Sequence, residues 1–197
     1  MIPFTTLTSI TVPLIRDNID TDTIIPSREI KGTGKTGLAG GLFAPWRYLD
    51  GQTRMPDPSF VLNDPIYNGA QILLAGKNFG CGSSREHAVW ALAECGIRCI
   101  IAESFAPIFE SNCIRNGLLP ITCGRPVDPL FHGQIMTIDL AEQHMSIPGR
   151  FRLFHIDDES RAMLMGGLDA IDLTLQYANA ISEWQAQDRK ARPWVYL

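Results

Sequence analysis

A chain of 197 residues with 45% apolar and 19% charged side chains has the balance of a soluble globular protein and is long enough for a sizeable core, so disordered and fibrous classes are excluded. A formal net charge of -4 argues against a general nucleic-acid binder. No apolar run approaches the roughly 20 residues needed to span a bilayer, and no basic region followed by an apolar run opens the chain, so neither a membrane segment nor a secretory signal is expected.

Residues 4 to 15 alternate loosely (Phe4, Leu7, Ile10, Val12, Leu14) and predict a strand, with Pro13 pushing it toward a sheet edge. Asp17 to Asp22 is a polar turn in which Asp20 and Asp22 share a side if the backbone is extended. Lys31 to Gly41 is dense in glycine. It is not a phosphate loop, because Glu29 stands where the pattern ending Gly34-Lys35-Thr36 needs a glycine, and a flexible loop is the better description. Gly51 to Asn68, with Pro56, Pro58 and Pro65, predicts a surface excursion.

Ile72-Leu73-Leu74-Ala75 predicts a buried strand leading into Gly76-Lys77-Asn78-Phe79-Gly80-Cys81-Gly82-Ser83-Ser84-Arg85-Glu86-His87-Ala88, and a helix over Arg85 to Cys95 stops at Gly96. Ser83 stands three residues before Glu86, the spacing of a capping box. Helix amides aimed into this loop, with the forked guanidinium of Arg85, favour an anion beside a hydroxyl. By itself the loop is more simply an ordinary glycine turn with a capping serine.

Cys99 to Ala102 predicts a second buried strand. A helix follows from Phe105 to Asn116, with Ser104 as cap and Gly117 as stop, and then a third apolar segment, Leu118 to Thr122. Strands alternating with helices imply a partly parallel sheet with a ligand site at strand C-terminal ends. Beyond Gln134, alternation over Ile135–Leu140 and around Phe151 predicts β-hairpin strands with a turn near Pro148-Gly149. Two helical stretches close the chain, and the spacing of Leu173, Tyr177, Ile181 and Trp184 predicts core packing. The tail from Arg189 to Leu197 is either frayed or docked on another subunit. The five cysteines, odd in number and without a Cys-x-x-Cys pair, suggest free thiols in a reducing cytoplasm, not a disulfide framework or zinc site.

The glycine loop taken whole resembles the signature of the swivelling domain of the aconitase superfamily, most closely its 3-isopropylmalate dehydratase small-subunit family. Asp17-Asn18-Ile19-Asp20-Thr21-Asp22-Thr23-Ile24-Ile25-Pro26, Gly41-Leu42-Phe43 with Trp46 to Asp50, Ser104-Phe105-Ala106, Leu118-Leu119-Pro120 and Gly166-Gly167-Leu168-Asp169 carry the same resemblance over nearly the whole chain. It implies an α/β fold of the swivelling β/β/α type, a mixed, partly parallel sheet flanked by helices. It implies one such domain over residues 1–197, with a helical tail from about 169. The implied activity is a hydro-lyase subunit that works only with a large subunit. That partner carries a [4Fe-4S] cluster, this chain holds no metal, and the substrate is a hydroxy diacid. Ser83 would be the catalytic base and Asp22 the partner of a histidine in the large subunit. Ser84 and Arg85 would bind substrate carboxylate, with Lys35 as a second cationic contact where the family often has arginine. Substrates with another substituent on the malate (methyl, dimethyl, citraconate, homoaconitate) stay open, as does a non-catalytic anion-binding module.

Overall fold

The computed structural model of this chain describes residues 1–124 and 127–196; of the tail, Leu197 lies outside the described residues. Its centre is a mixed sheet of seven strands among the described residues: β1 (Thr6–Leu14), β2 (Ile72–Ala75), β3 (Cys99–Ala102), β4 (Leu119–Thr122), β5 (Ile135–Asp139), β6 (His144–Ile147) and β7 (Arg150–Leu153). Their order is β4-β3-β2-β1-β5-β6-β7. Neighbours from β4 to β1 run parallel and those from β1 to β7 antiparallel.

β1 is therefore central, not an edge strand, and the reason lies in how its two halves are used. Thr6 to Ile10 pair with β5, and Thr11 to Leu14 pair with β2. The amide of Thr11 donates toward the β5 side, to the Gln134 carbonyl at 2.9 Å. Pro13, two residues on, faces the same way. There β5 has already ended, so the amide that proline lacks has no ladder partner to lose.

Short helices begin with α1 (Thr21–Ile24) and α2 (Ala44–Arg47), before β2. The crossovers of the parallel half are α3 (His87–Glu94) between β2 and β3, and α4 (Pro107–Arg115) between β3 and β4. Then come α5 (Asp158–Gly166), α6 (Ala170–Leu175) and α7 (Ala178–Ala191). β2 is buried on both faces, and its alternation feeds two cores. Leu73 and Ala75 join Val89 and Leu92 of α3 on one side; Ile72 and Leu74 join Met136, Ile138 and Leu164 on the other. Burying each of these leucine, isoleucine, valine and methionine side chains contributes about 1.5–3 kcal/mol.

Three local expectations are corrected. Helix α3 starts at His87 with Glu86 as its N-cap and no side-chain cap, so Ser83 and Glu86 form no capping box. Ser104 does not cap α4, whose N-cap is Ala106. Instead Ser104 Oγ accepts from the Asn78 amide at 2.9 Å and its carbonyl from the Phe79 amide at 3.0 Å, which pins the glycine loop. The closing stripe is core only at its start: Leu173 packs half-buried against the second core and Ile181 is half-buried, but Tyr177 and Trp184 are 68% and 57% exposed, and α7 buries no residue. Helical spacing defines an apolar face; it does not supply a layer to cover it. The turn at Pro148-Gly149 joins β6 to β7 as expected, and a further hairpin joins β5 to β6. Among the described residues no helix is long and apolar enough to cross a membrane.

Candidate active site

The turn after β1 and the loop after β2 leave neighbouring parallel strands at the same end of the sheet, so they meet. Their meeting is a zipper of backbone and short polar groups. The Lys77 amide donates to Asp17 Oδ1 at 2.7 Å, the Asn18 amide to the Lys77 carbonyl at 2.8 Å, the Gly80 amide to the Ile19 carbonyl at 2.7 Å, and the Thr21 amide to the Cys81 carbonyl at 2.8 Å. A Cβ at Gly76 would stand 2.3 Å from Asp17 Oδ1, and one at Gly80, where φ is +78°, 2.1 Å from the Phe109 ring. Underneath, Phe79 is fully buried against Phe105 and Phe109, with ring centroids 6.2 and 5.3 Å away. Asp20 caps α1 through the Thr23 amide at 2.6 Å, a structural role.

At the end of this zipper Arg85 gathers three groups in one fork. Its Nε donates to Ser83 Oγ at 3.1 Å, Nη1 to Ser27 Oγ at 2.7 Å and Nη2 to Asp22 Oδ1 at 2.5 Å. The Ser83 amide in turn donates to Oγ1 of the buried Thr21 at 3.0 Å, which fixes the serine backbone. The hydrogen bond from Arg85 is the main cause holding the Asp22 carboxyl below the usual carboxylate range, with slight burial opposing it and the Arg85 charge and Ser27 hydroxyl adding to it. Asp22 stays 64% exposed at its side chain, and Ser83 and Ser84 are exposed. A hydroxyl lying beside a fixed cation, with a carboxylate alongside and open to an outside surface, is suited to proton transfer at a bound anion.

The sequence-predicted residues Ser83, Arg85 and Asp22 thus come together, while Ser84, exposed between Ser83 and Arg85, makes no bond within the fork. Lys35 does not join them: its Nζ donates to Asn116 Oδ1 at 3.1 Å and lies 5.4 Å over the Trp90 ring. Ser27 and Thr21 were not singled out from sequence. Thr21 carried a signal, since it sits inside the Asp motif, but Ser27 had none beyond following Pro26.

The cysteines are scattered. Cys81 is in the glycine loop, Cys95 ends α3, Cys99 lies in β3 and Cys113 in α4. Burial pushes the thiols of Cys99 and Cys113 well up. Among the described residues no group of three or more His, Cys, Asp or Glu side chains could hold a metal ion, so an iron–sulfur cluster does not fit this chain's donors. Cavities of small-molecule size lie away from Ser83: about 640 Å³ lined by Glu110, Arg115, His155 and Met163, and about 370 Å³ lined by Lys35, Trp90, Ile97 and Arg98. The Ser83–Arg85 cluster is an open face.

Comparison with known proteins bears on that face. Residues 1–126 match the family described as Aconitase C-terminal domain. The chain is 51% identical to the 3-isopropylmalate dehydratase small subunit of Cupriavidus necator over 100% of this chain and 99% of the relative. It is 47% identical to that of Agrobacterium fabrum, covering 98% of both. A crystal structure of 3-isopropylmalate dehydratase (leuD) from Methanocaldococcus jannaschii superposes with a TM-score of 0.70 at 30% identity, over 90% of this chain and 99% of that one.

Proposed function

This chain belongs to the 3-isopropylmalate dehydratase small-subunit family of the aconitase superfamily, and from that premise we propose how its open face serves the reaction. The function is that of a hydro-lyase small subunit, which interconverts 2- and 3-isopropylmalate by removing water and adding it back at the neighbouring carbon on the way to leucine. The observation that carries the residue roles is the Arg85 fork, which holds Ser83, Ser27 and Asp22 together at an exposed surface.

In this proposal Ser83 Oγ takes the carbon-bound proton, and the C–H electron pair becomes the new double bond as the neighbouring hydroxyl departs. Arg85 Nε, already donating to Ser83 Oγ, favours the charged form of the serine. Arg85 and the Ser84 hydroxyl hold a substrate carboxylate. Asp22, with an exposed carboxylate, orients a histidine of the large subunit. Lys35 grips the second carboxylate after its exposed loop leaves Asn116. The departing hydroxyl needs a Lewis acid, which we assign to a [4Fe-4S] cluster on the large subunit, and the pair works in the cytoplasm. The exposure of Ser83, Ser84 and the Asp22 carboxylate on an outside surface supports a chamber closed by a partner.

The test is Ser83→Ala, assembled with the large subunit and assayed on isopropyl-, methyl- and dimethyl-substituted malates, citraconate and homoaconitate. Turnover of isopropylmalate is expected to fall by about 10²–10⁴, with co-elution of the two subunits unchanged. Undiminished turnover would discard Ser83 as the base. Preference for another malate would move the substrate assignment.

A further inference from the structure

Behind the candidate site a run of amide contacts connects the loop of Ser83–Arg85 to the loop of Lys35. Asn112, on α4 and 5% exposed, donates from Nδ2 to the Ser84 carbonyl at 3.3 Å. One turn later Asn116 donates from Nδ2 to the Asn112 carbonyl at 2.9 Å. Asn116 Oδ1 then accepts twice, from Trp90 Nε1 at 2.9 Å and from Lys35 Nζ at 3.1 Å. The far end of the Lys35 loop is fastened to α3, where Glu94 accepts the amides of Gly37, Leu38 and Ala39 at 2.6, 2.5 and 2.7 Å. Between that fastening and Ile30 the loop is exposed or half-exposed. Asn116 is the C-cap residue of α4, yet its side-chain oxygen is spent on the indole and the ammonium.

We infer that Asn116 is a positioning residue: its carboxamide is the seat in which Lys35 rests while the site is empty. The inference rests on the reading of Lys35 as a substrate contact. A ligand that needs Lys35 pays for lifting it, because apparent affinity is intrinsic affinity reduced by the fraction of molecules in the competent state. Weakening the seat therefore improves substrate affinity, and strengthening it worsens affinity. A merely structural asparagine predicts no such opposition of sign.

Two variants isolate the seat. Asn116→Ala and Asn116→Asp both lose donation to the Asn112 carbonyl, but aspartate still accepts from Trp90 and adds a charge opposite Lys35. In the assembled enzyme N116A is expected to lower KM about two- to fivefold and N116D to raise it by a similar factor, with kcat held in both. Shifts in the same direction, or none, overturn the inference while leaving the functional reading intact. A second measurement needs no turnover. In the chain alone, Lys35→Ala should move the Trp90 indole N–H resonance, assigned with Trp90→Phe, because the two donors share one oxygen. An unmoved Trp90 signal overturns the seat. A wild-type pair without turnover on any malate, with the Trp90 signal moved, would sink the functional reading and with it the positioning role, leaving only the Lys35–Asn116 contact.

Discussion

A lysine at position 85 would keep the charge and lose the fork. One ammonium cannot reproduce the planar set of bonds that Arg85 makes to Ser83, Ser27 and Asp22. Arg85→Lys is expected to lower kcat/KM about 10²-fold in the assembled enzyme, measured by steady-state kinetics with substrate saturation checked. Asp22 gives a pH signature. Its carboxyl is held below the ordinary carboxylate range in the fold, so its pairing stabilises the fold at all pH values above that range and the contribution fades as pH falls through the lowered value. The stability gap between wild type and Asp22→Asn, about 0.2–1 kcal/mol for so exposed a pair, should be flat from pH 7 to about 4.5 and close below it in urea titrations. Ser83, Arg85 and Asp22 could be picked out in advance because each sits in a string that resembles a motif of the aconitase swivelling domain. Ser27, Asn112 and Asn116 could not, because an isolated serine or asparagine acquires its role only when the fold brings a distant group against it.

Among the elements, the glycine loop depends most on backbone shape. Gly80→Ala adds a methyl group in a left-handed conformation and against the Phe109 ring, at a cost of about 2–4 kcal/mol. Denaturant midpoints should report that loss, and turnover should drop because the Gly80 amide, which ties the loop to Ile19, is displaced. The opposite holds for α7. Its Asp188 accepts from Arg192, the residue that caps its end, and from Tyr196, so the segment's end is held by local contacts. We propose residues 1–168 as the folded unit and the remainder as a helical tail. Removal of residues 178–197 is then expected to leave the melting temperature within about 2 °C, read by calorimetry. The strands and crossover helices of the parallel half were legible, since each is a short apolar run bounded by glycine or a polar turn. The place of β1 in the sheet was not, because Pro13 forbids a ladder bond on one side only, and sequence does not say which side is vacant. Nor did spacing reveal whether the stripe through Tyr177 and Trp184 meets a partner layer.

For the whole molecule, an exposed Ser83–Arg85 face and a donor set unfit for a cluster lead to one expectation. The chain alone should give no dehydration of isopropylmalate above background, and activity should rise with added large subunit until the pair is stoichiometric, measured by absorbance of the unsaturated product. The sheet carries a further consequence. One nine-residue strand, β1, serves the parallel ladder with its second half and the antiparallel ladder with its first. Neither ladder can come apart without releasing the other's border, so the β-structure should melt in a single step. Deuterium should enter the ladder-bonded amides of Thr6–Ile10 and those of Thr11, Val12 and Leu14 at matching, slowest rates, while β7 at the rim exchanges early.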